Sequence, residues 1–446
     1  MTKDMTNGNS LRHIIMFCIP MVFGNIFQQL YSMVDAIIVG KYIGLKALAA
    51  VGSTGSICFL ILGFAEGICS GFSIKVAQSY GAGNYSKMRK YVANSLYLCG
   101  VVSVALTVVT LIFTRHILTL MQTPADIIDD AYSYLFITFA GITVTILYNI
   151  LSCVLRALGD SRSPLIFLAI ASLLNIVLDI VFIRSFGMGV GGAALATVIS
   201  QAVSGVLCII YIKKYFDILT FEKGEMNFDP QLCKKLINVG IPMALQFSIT
   251  AIGSIILQTS INKLGTDYVA SVTAALKIQM LVMGPMECIG ITMATFCGQN
   301  KGAKKFPRIK KGLWQSIGIS MIYCAFSWLL VNFAGQYIAL LFVNKSDTRI
   351  ISLAMHYLRV VTAFFPALGI LFILRNSLQG LGYSFLPMTA GFTELIARSL
   401  VVIICVPIIG YNGVCYASPS AWLAADVLLI ITTFVKLPKL KTALSE

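Results

Sequence analysis

Two aspartates and a few neutral oxygen donors stand where the surroundings leave few reasons for them except chemistry. Asp35 lies toward the end of an apolar stretch, 14–44, that also carries Asn25, Gln28 and Gln29 and is long enough to cross a bilayer. Asn175 and Asp179 are four residues apart in a second apolar run, so they share one helical face. A carboxylate in hydrocarbon is costly unless it meets a partner or a water-filled cavity. Counting the helical rise, Asp35 and Asp179 fall at a similar depth, in the outer half of the membrane. Thr197, in the first turns of the next run, returns to that level, and Asn149 lies deeper. Two carboxylates, two amides and a hydroxyl suit one of two tasks. Asp35, Asn175, Asp179 and Thr197 could surround a Na⁺ with oxygens, or the two acids could share a proton and carry it near neutral pH. Interhelical hydrogen bonding is the plainer role for each neutral member taken alone.

The elements that must hold these residues are membrane helices. The 446-residue chain is 58% hydrophobic and 11% charged, against about half and a quarter in soluble domains. Period-2 alternation of the barrel kind is missing, so the class is all-α and polytopic. The net charge of +15 would suggest nucleic acid if the bases formed a patch. They cluster instead in short loops between apolar runs, which excludes nucleic acid as the expected partner and leaves the lipid bilayer. The loops on the side of the chain termini hold most of them, including Lys3, Arg89, Arg156, Arg308 and Arg375, and the opposite loops hold few, Lys345 among them. Both termini are therefore expected in the cytoplasm, with the chain in the cell membrane. The first apolar run is too long for a signal peptide and lacks a small-residue cleavage site. The 12 cysteines lie mostly in apolar runs without metal spacing and read as free packing thiols.

About twelve spans fit between residues 14 and 435, and the longest polar connection, 213–235, divides them six and six. The halves repeat. Ile19-Pro20-Met21 recurs as Ile241-Pro242-Met243, Gly63 and Glu66 as Gly284 and Glu287, Gln78 and Gly81-Ala82 as Gln299 and Gly302-Ala303, and Gly159 and Pro164 as Gly382 and Pro387. An even number of spans per half gives both halves one topology, related by a pseudo-twofold axis along the membrane normal. The expected domains are an N-terminal six-helix bundle over 1–212 with the cation site, a cytoplasmic linker over 213–235, and a C-terminal six-helix bundle over 236–446. Two like bundles flanking a cleft suit an alternating-access carrier.

The repeat keeps the scaffold but not the chemistry. Asp35 corresponds to Leu257, Asn175 to Arg398 and Asp179 to Val402, which assigns the cation site to the first bundle. Gln28, Glu66, Met283, Glu287 and Arg398 are expected to line the substrate cleft. Glu66 and Glu287, as repeat partners, fit either an architectural role or a lining for cationic substrates. Glu394 and Arg398 are four apart and read as a local ion pair. Lys277, His356, Arg359 and Asp426 have no spacing that assigns them. Pro20, fifteen residues before Asp35, is the expected hinge, because a proline inside a helix removes a hydrogen bond.

These residues resemble the multidrug and toxin extrusion (MATE) family. The likeness is carried by Pro20, Gln28, Asp35, Gly40 and Gly44 in the first span, Gln78-x-x-Gly81-Ala82 with its repeat, Arg156-Ala-Leu-Gly159-Asp160-Ser-x-x-Pro164, and Asn175-x-x-x-Asp179. It covers essentially the whole chain and points to the bacterial branch with its acids in the first bundle. The resemblance implies a V-shaped pair of six-helix bundles exporting organic cations and amphipathic drugs, driven by inward H⁺ or Na⁺. It also implies the cation-site positions Asp35, Asn149, Asn175, Asp179 and Thr197; no cofactor beyond the coupling ion, and a monomer, are the expectations for the chain. A lipid-linked precursor flippase of the same superfamily is the rival; it would be expected to show several cationic cleft residues and extra spans. No nucleophile–base or metal set marks an enzyme.

Overall fold

A computed structural model describes residues 4–340 and 347–445, with side chains described to Thr442. Lys3 and Lys345 lie outside the described residues. Among the described residues there are helices and turns but no strand. The first half comprises α1 (Ser10–Tyr42), α2 (Leu45–Gly81), α3 (Tyr85–Leu120), α4 (Ile128–Ala140), α5 (Ile142–Ala157), α6 (Arg162–Ile180) and α7 (Gly189–Tyr215). The second comprises α8 (Pro230–Leu264), α9 (Thr266–Gly302), α10 (Phe306–Ala339), α11 (Thr348–Ala363), α12 (Phe365–Gly380), α13 (Phe385–Leu400), the short α14 (Val406–Ile409) and α15 (Tyr411–Ser445). Ten helical stretches are each long and apolar enough to span a membrane; α4 with α5, and α11 with α12, form two further spans bent by 49° and 51°. The twelve spans read from the sequence are present. Large apolar side chains such as Phe23, Ile112, Ile322, Phe333 and Phe434 face outward, as lipid contact requires. All twelve cysteines are free thiols, ten of them buried.

The repeat is written in the backbone as well. The bends fall at Gly141 and Phe364, 223 residues apart. At the first, a Cβ on Gly141 would stand 2.3 Å from Val198 Cγ2, so glycine lets α7 close against the bend. At the second, Pro366 in the first turn of α12 has no N–H to continue α11. The turns from α1 to α2 and from α8 to α9 both pass through a glycine at positive φ, Gly44 at 124° and Gly265 at 113°. Each half also carries one π-helical turn, Val181–Ser185 after α6 and Val401–Cys405 after α13.

The chain forms two compact units, and each borrows a piece of the other half. One comprises Asp4 and Ile19–Ala244; the other comprises Met5–Cys18 and Leu245 onward. This differs from the division drawn at 213–235, and the reason is physical. The 213–235 connection is bound to the first unit: Arg89 at the start of α3 pairs with Glu225, donates to Glu222 at 2.6 Å, and donates to the Ile218 carbonyl at 3.4 Å. The start of α8 then packs on α2, where a Cβ on Gly71 would lie 2.5 Å from Gly240 Cα and one on Gly67 2.6 Å from Ala244 Cα. Such contact of backbones is how membrane helices pack without bulky side chains. In the second unit the Met5 N–H donates to Gln299 Oε1 at 2.9 Å, and Arg308 donates to the carbonyls of Met5 and Gly8 at 2.9 and 2.6 Å. Arg89 and Arg375, counted from the sequence among the loop cations, are both buried.

Candidate functional site

In the first unit four elements converge on two carboxyl groups. α1 supplies Asp35 and, one turn earlier, Tyr31. α6 supplies Asn175 and Asp179 just before its π turn, α7 supplies Thr197, and α4 supplies Tyr134. The four-residue spacing does place Asn175 and Asp179 together, and both are enclosed, at 1% and 0% exposure. Asp35 is half-buried, and its carboxyl group lies within hydrogen-bonding reach of that of Asp179. Asn175 Nδ2 donates to Thr197 Oγ1 at 3.3 Å. The amide oxygen of Asn175 accepts no hydrogen bond among the described residues. Asp35 Oδ1, Asn175 Oδ1 and both carboxyl oxygens of Asp179 are buried with no donor among the described residues.

Several buried acceptors gathered without a donor form an unbalanced arrangement. Each buried polar oxygen left unmatched costs about 1–3 kcal/mol, and a charged one more. The arrangement becomes favourable when a proton is shared between the carboxyls or when a small cation sits among the oxygens. Tyr31 and Tyr134 stand within electrostatic range of both aspartates. An apolar group formed by Ile38, Val39, Ala47, Ile183, Val190 and Ala193, with Tyr134 against it, lies alongside. Sequence reasoning passed over both tyrosines; the one signal for Tyr31 was its place one turn before Asp35.

The remaining residues divide as follows. Asn149 on α5 is half-buried and makes no hydrogen bond to the other four, so its role is the one the geometry supports least. Gln28 and Glu66 belong to the first unit and are exposed; Glu66 has Arg156 as its nearest opposite charge. Met283 and Glu287 are half-buried, one turn apart on α9 of the second unit, and Arg398 is buried on α13. Pro20 is enclosed within an unbroken α1, next to the point where that helix passes from one unit to the other. The local ion pair expected between Glu394 and Arg398 is not formed. Glu394 reaches across to Arg375 on α12 instead, while the Arg398 guanidinium turns into room left by Gly253 on α8, with Nη1 2.6 Å from where a Cβ would stand. Asp426 on α15 is also buried, near Arg375, with Oδ1 lacking a partner. Among the described residues no cluster of three or more His, Cys, Asp or Glu could hold a metal ion.

Similarity to known proteins agrees with this fold. The family model described as MatE matches residues 20–181 and again 242–407, once in each half. The chain is 28% identical over 383 residues to the probable multidrug resistance protein YpnP of Bacillus subtilis, covering 85% of this chain and 84% of the relative. It is 24% identical over 370 residues to the multidrug export protein MepA of Staphylococcus aureus, covering 82% and 80%. A solved outward-facing multidrug resistance MATE transporter of the MOP superfamily has the same fold, with a TM-score of 0.91 at 23% identity over 97% of each chain. With both halves matched by its model, the chain belongs to the MATE family.

Proposed function

We propose that this protein is an antiporter of the cell membrane that exports cationic and amphipathic small molecules, including drugs, against the inward movement of H⁺ or Na⁺. The observation that carries the reading is the facing pair Asp35 and Asp179, whose enclosed oxygens lack protein donors. Such a pair is stable when it holds a proton or a cation and unstable when it holds neither. An exporter needs that property at its coupling site, because the empty state must be strained enough to favour a different arrangement of the helices. Asp35 and Asp179 bind the coupling ion, Asn175 and Thr197 complete its oxygen shell, and Tyr31 and Tyr134 restrict access to it.

Pro20 is the hinge in this scheme. It leaves the Met16 carbonyl without its helical partner, so α1 can bend there at low cost. Asp35 lies on the same helix, about 22 Å further on, so occupation of the site can be felt at the bend. The relatives named for multidrug resistance and export support the substrate class. The excess of basic residues in the loops on the side of the termini supports cytoplasmic termini.

The test uses everted membrane vesicles with Na⁺ and H⁺ gradients imposed separately. Uptake of a fluorescent organic cation driven by one gradient, and lost in Asp179→Asn, is the expected result. Uptake indifferent to both gradients would remove the antiport reading.

A further inference from the structure

We infer that Arg398 forms an anion subsite in the C-terminal unit, which takes the carboxylate or phosphate group of an amphipathic, zwitterionic substrate. The interior of this unit holds two buried arginines, Arg375 and Arg398, and two buried acids, Glu394 and Asp426. Both acids neighbour the same arginine: Glu394 is ion-paired with Arg375, and Asp426 lies within its electrostatic range. Arg398 is left over. It is 6% exposed, its Nε is enclosed without a partner, and no carboxylate lies within 4 Å among the described residues. A buried guanidinium with no counter-charge at membrane depth is expensive. Its planar fork of donors matches carboxylate and phosphate oxygens in pairs.

Gly253 on α8 leaves the room that the Arg398 guanidinium occupies. Gly253 corresponds in the repeat to Tyr31, and Arg398 to Asn175. At these positions the first unit carries a large ring and a short amide; the second carries no side chain at one and a long guanidinium at the other. The exchange removes a ring, leaves less side-chain volume in the second unit, and replaces a neutral amide by a cation. Tyr357 on α11, fully enclosed, lies within electrostatic range of the guanidinium. For structure alone, an apolar side chain would fill this room at lower cost than a charge.

The transport arm of the test rests on the export reading above; the binding arm does not. The probes are rhodamine B, which carries a carboxylate, and its ethyl ester, which does not. Binding to the purified full-length protein in detergent is read by fluorescence polarisation, and export by reconstituted vesicles. The wild type is expected to favour the acid over the ester. Arg398→Gln is expected to lower the acid-to-ester ratio about tenfold, in binding and, where export occurs, in export. Arg398→Lys, which keeps the charge, should retain the greater part of the ratio. Wild-type protein that binds both dyes equally, favours the ester or binds neither overturns the subsite, as does an Arg398→Gln protein with an unchanged ratio or a Lys variant as deficient as the Gln variant. Binding of the acid without export would overturn only the export reading.

Discussion

The two units carry the same backbone devices on corresponding spans and opposite chemistry near them. Each has a glycine turn after its first helix, a sharply bent span, and a π turn closing its fifth span. Just before the first π turn stand Asn175 and Asp179, facing Asp35; Arg398 stands just before the second and Val402 within it, with Leu257 in place of the acid. π turns recur where function sits, and here the turn outlasts the exchange of every polar group around it. Duplication evidently preserves what packing dictates and frees what chemistry uses. The first unit gathers acceptors that have no donors. The second gathers charges that largely balance one another through Arg375.

That contrast can be broken experimentally, and the largest effect is expected at the acids. Asp35→Asn and Asp179→Asn should each abolish drug resistance in an efflux-deficient host at normal expression; retained export by either would take that aspartate out of the coupling step. In the second unit the comparable deletion should strike stability. Arg375→Gln strands Glu394 in a buried setting and should cost about 3–5 kcal/mol, whereas Arg375→Gln with Glu394→Gln should recover much of the loss. Thermal unfolding in detergent measures both, and a double variant no more stable than the single one would mean that the pair is not a unit.

Smaller effects sharpen the picture at the cytoplasmic side. Arg89, beside Glu225, pulls that carboxyl down to about 2 from an ordinary 4.5. A depressed carboxyl stabilises the docked segment above its unbound value and loses that contribution as pH falls through the bound one. Protection of residues 218–225 from limited proteolysis should therefore hold at pH 5 and above and decline from about pH 4.5 toward 2; Arg89→Gln should expose the segment at neutral pH. Thr197→Val, which removes one hydrogen bond to Asn175, should weaken coupling-ion affinity modestly, by about 0.5–1.5 kcal/mol. Asn149→Ala should change it least. Ion affinity read from the gradient dependence of export ranks the two, and a larger effect at Asn149 would place it in the site after all.

Much of this was legible beforehand, for identifiable reasons. Hydropathy, a fixed repeat offset and four-residue spacing report on helices and on one face of a helix, so the twelve spans and the Asn175–Asp179 pairing could be read directly. Contacts between helices far apart in sequence leave no such trace. The spacing that brought Asn175 and Asp179 together wrongly paired Glu394 with Arg398, because the partner that prevailed, Arg375, lies on another helix and had been counted as a loop cation. Tyr31 and Tyr134 escaped notice because aromatic residues on apolar faces are ordinary in membrane helices. The π turns have no composition that marks them.

The exchange of segments between the halves bears on how the protein is made. The first six spans leave the ribosome without the stretch 230–244 that closes over Gly67 and Gly71. The last six need residues 5–18, which were synthesised before any of them. Neither half can then mature as an independent translation product, and cutting the gene between residues 215 and 230 should yield fragments that require co-expression to accumulate. Packing of each unit is thereby tied to completion of the chain.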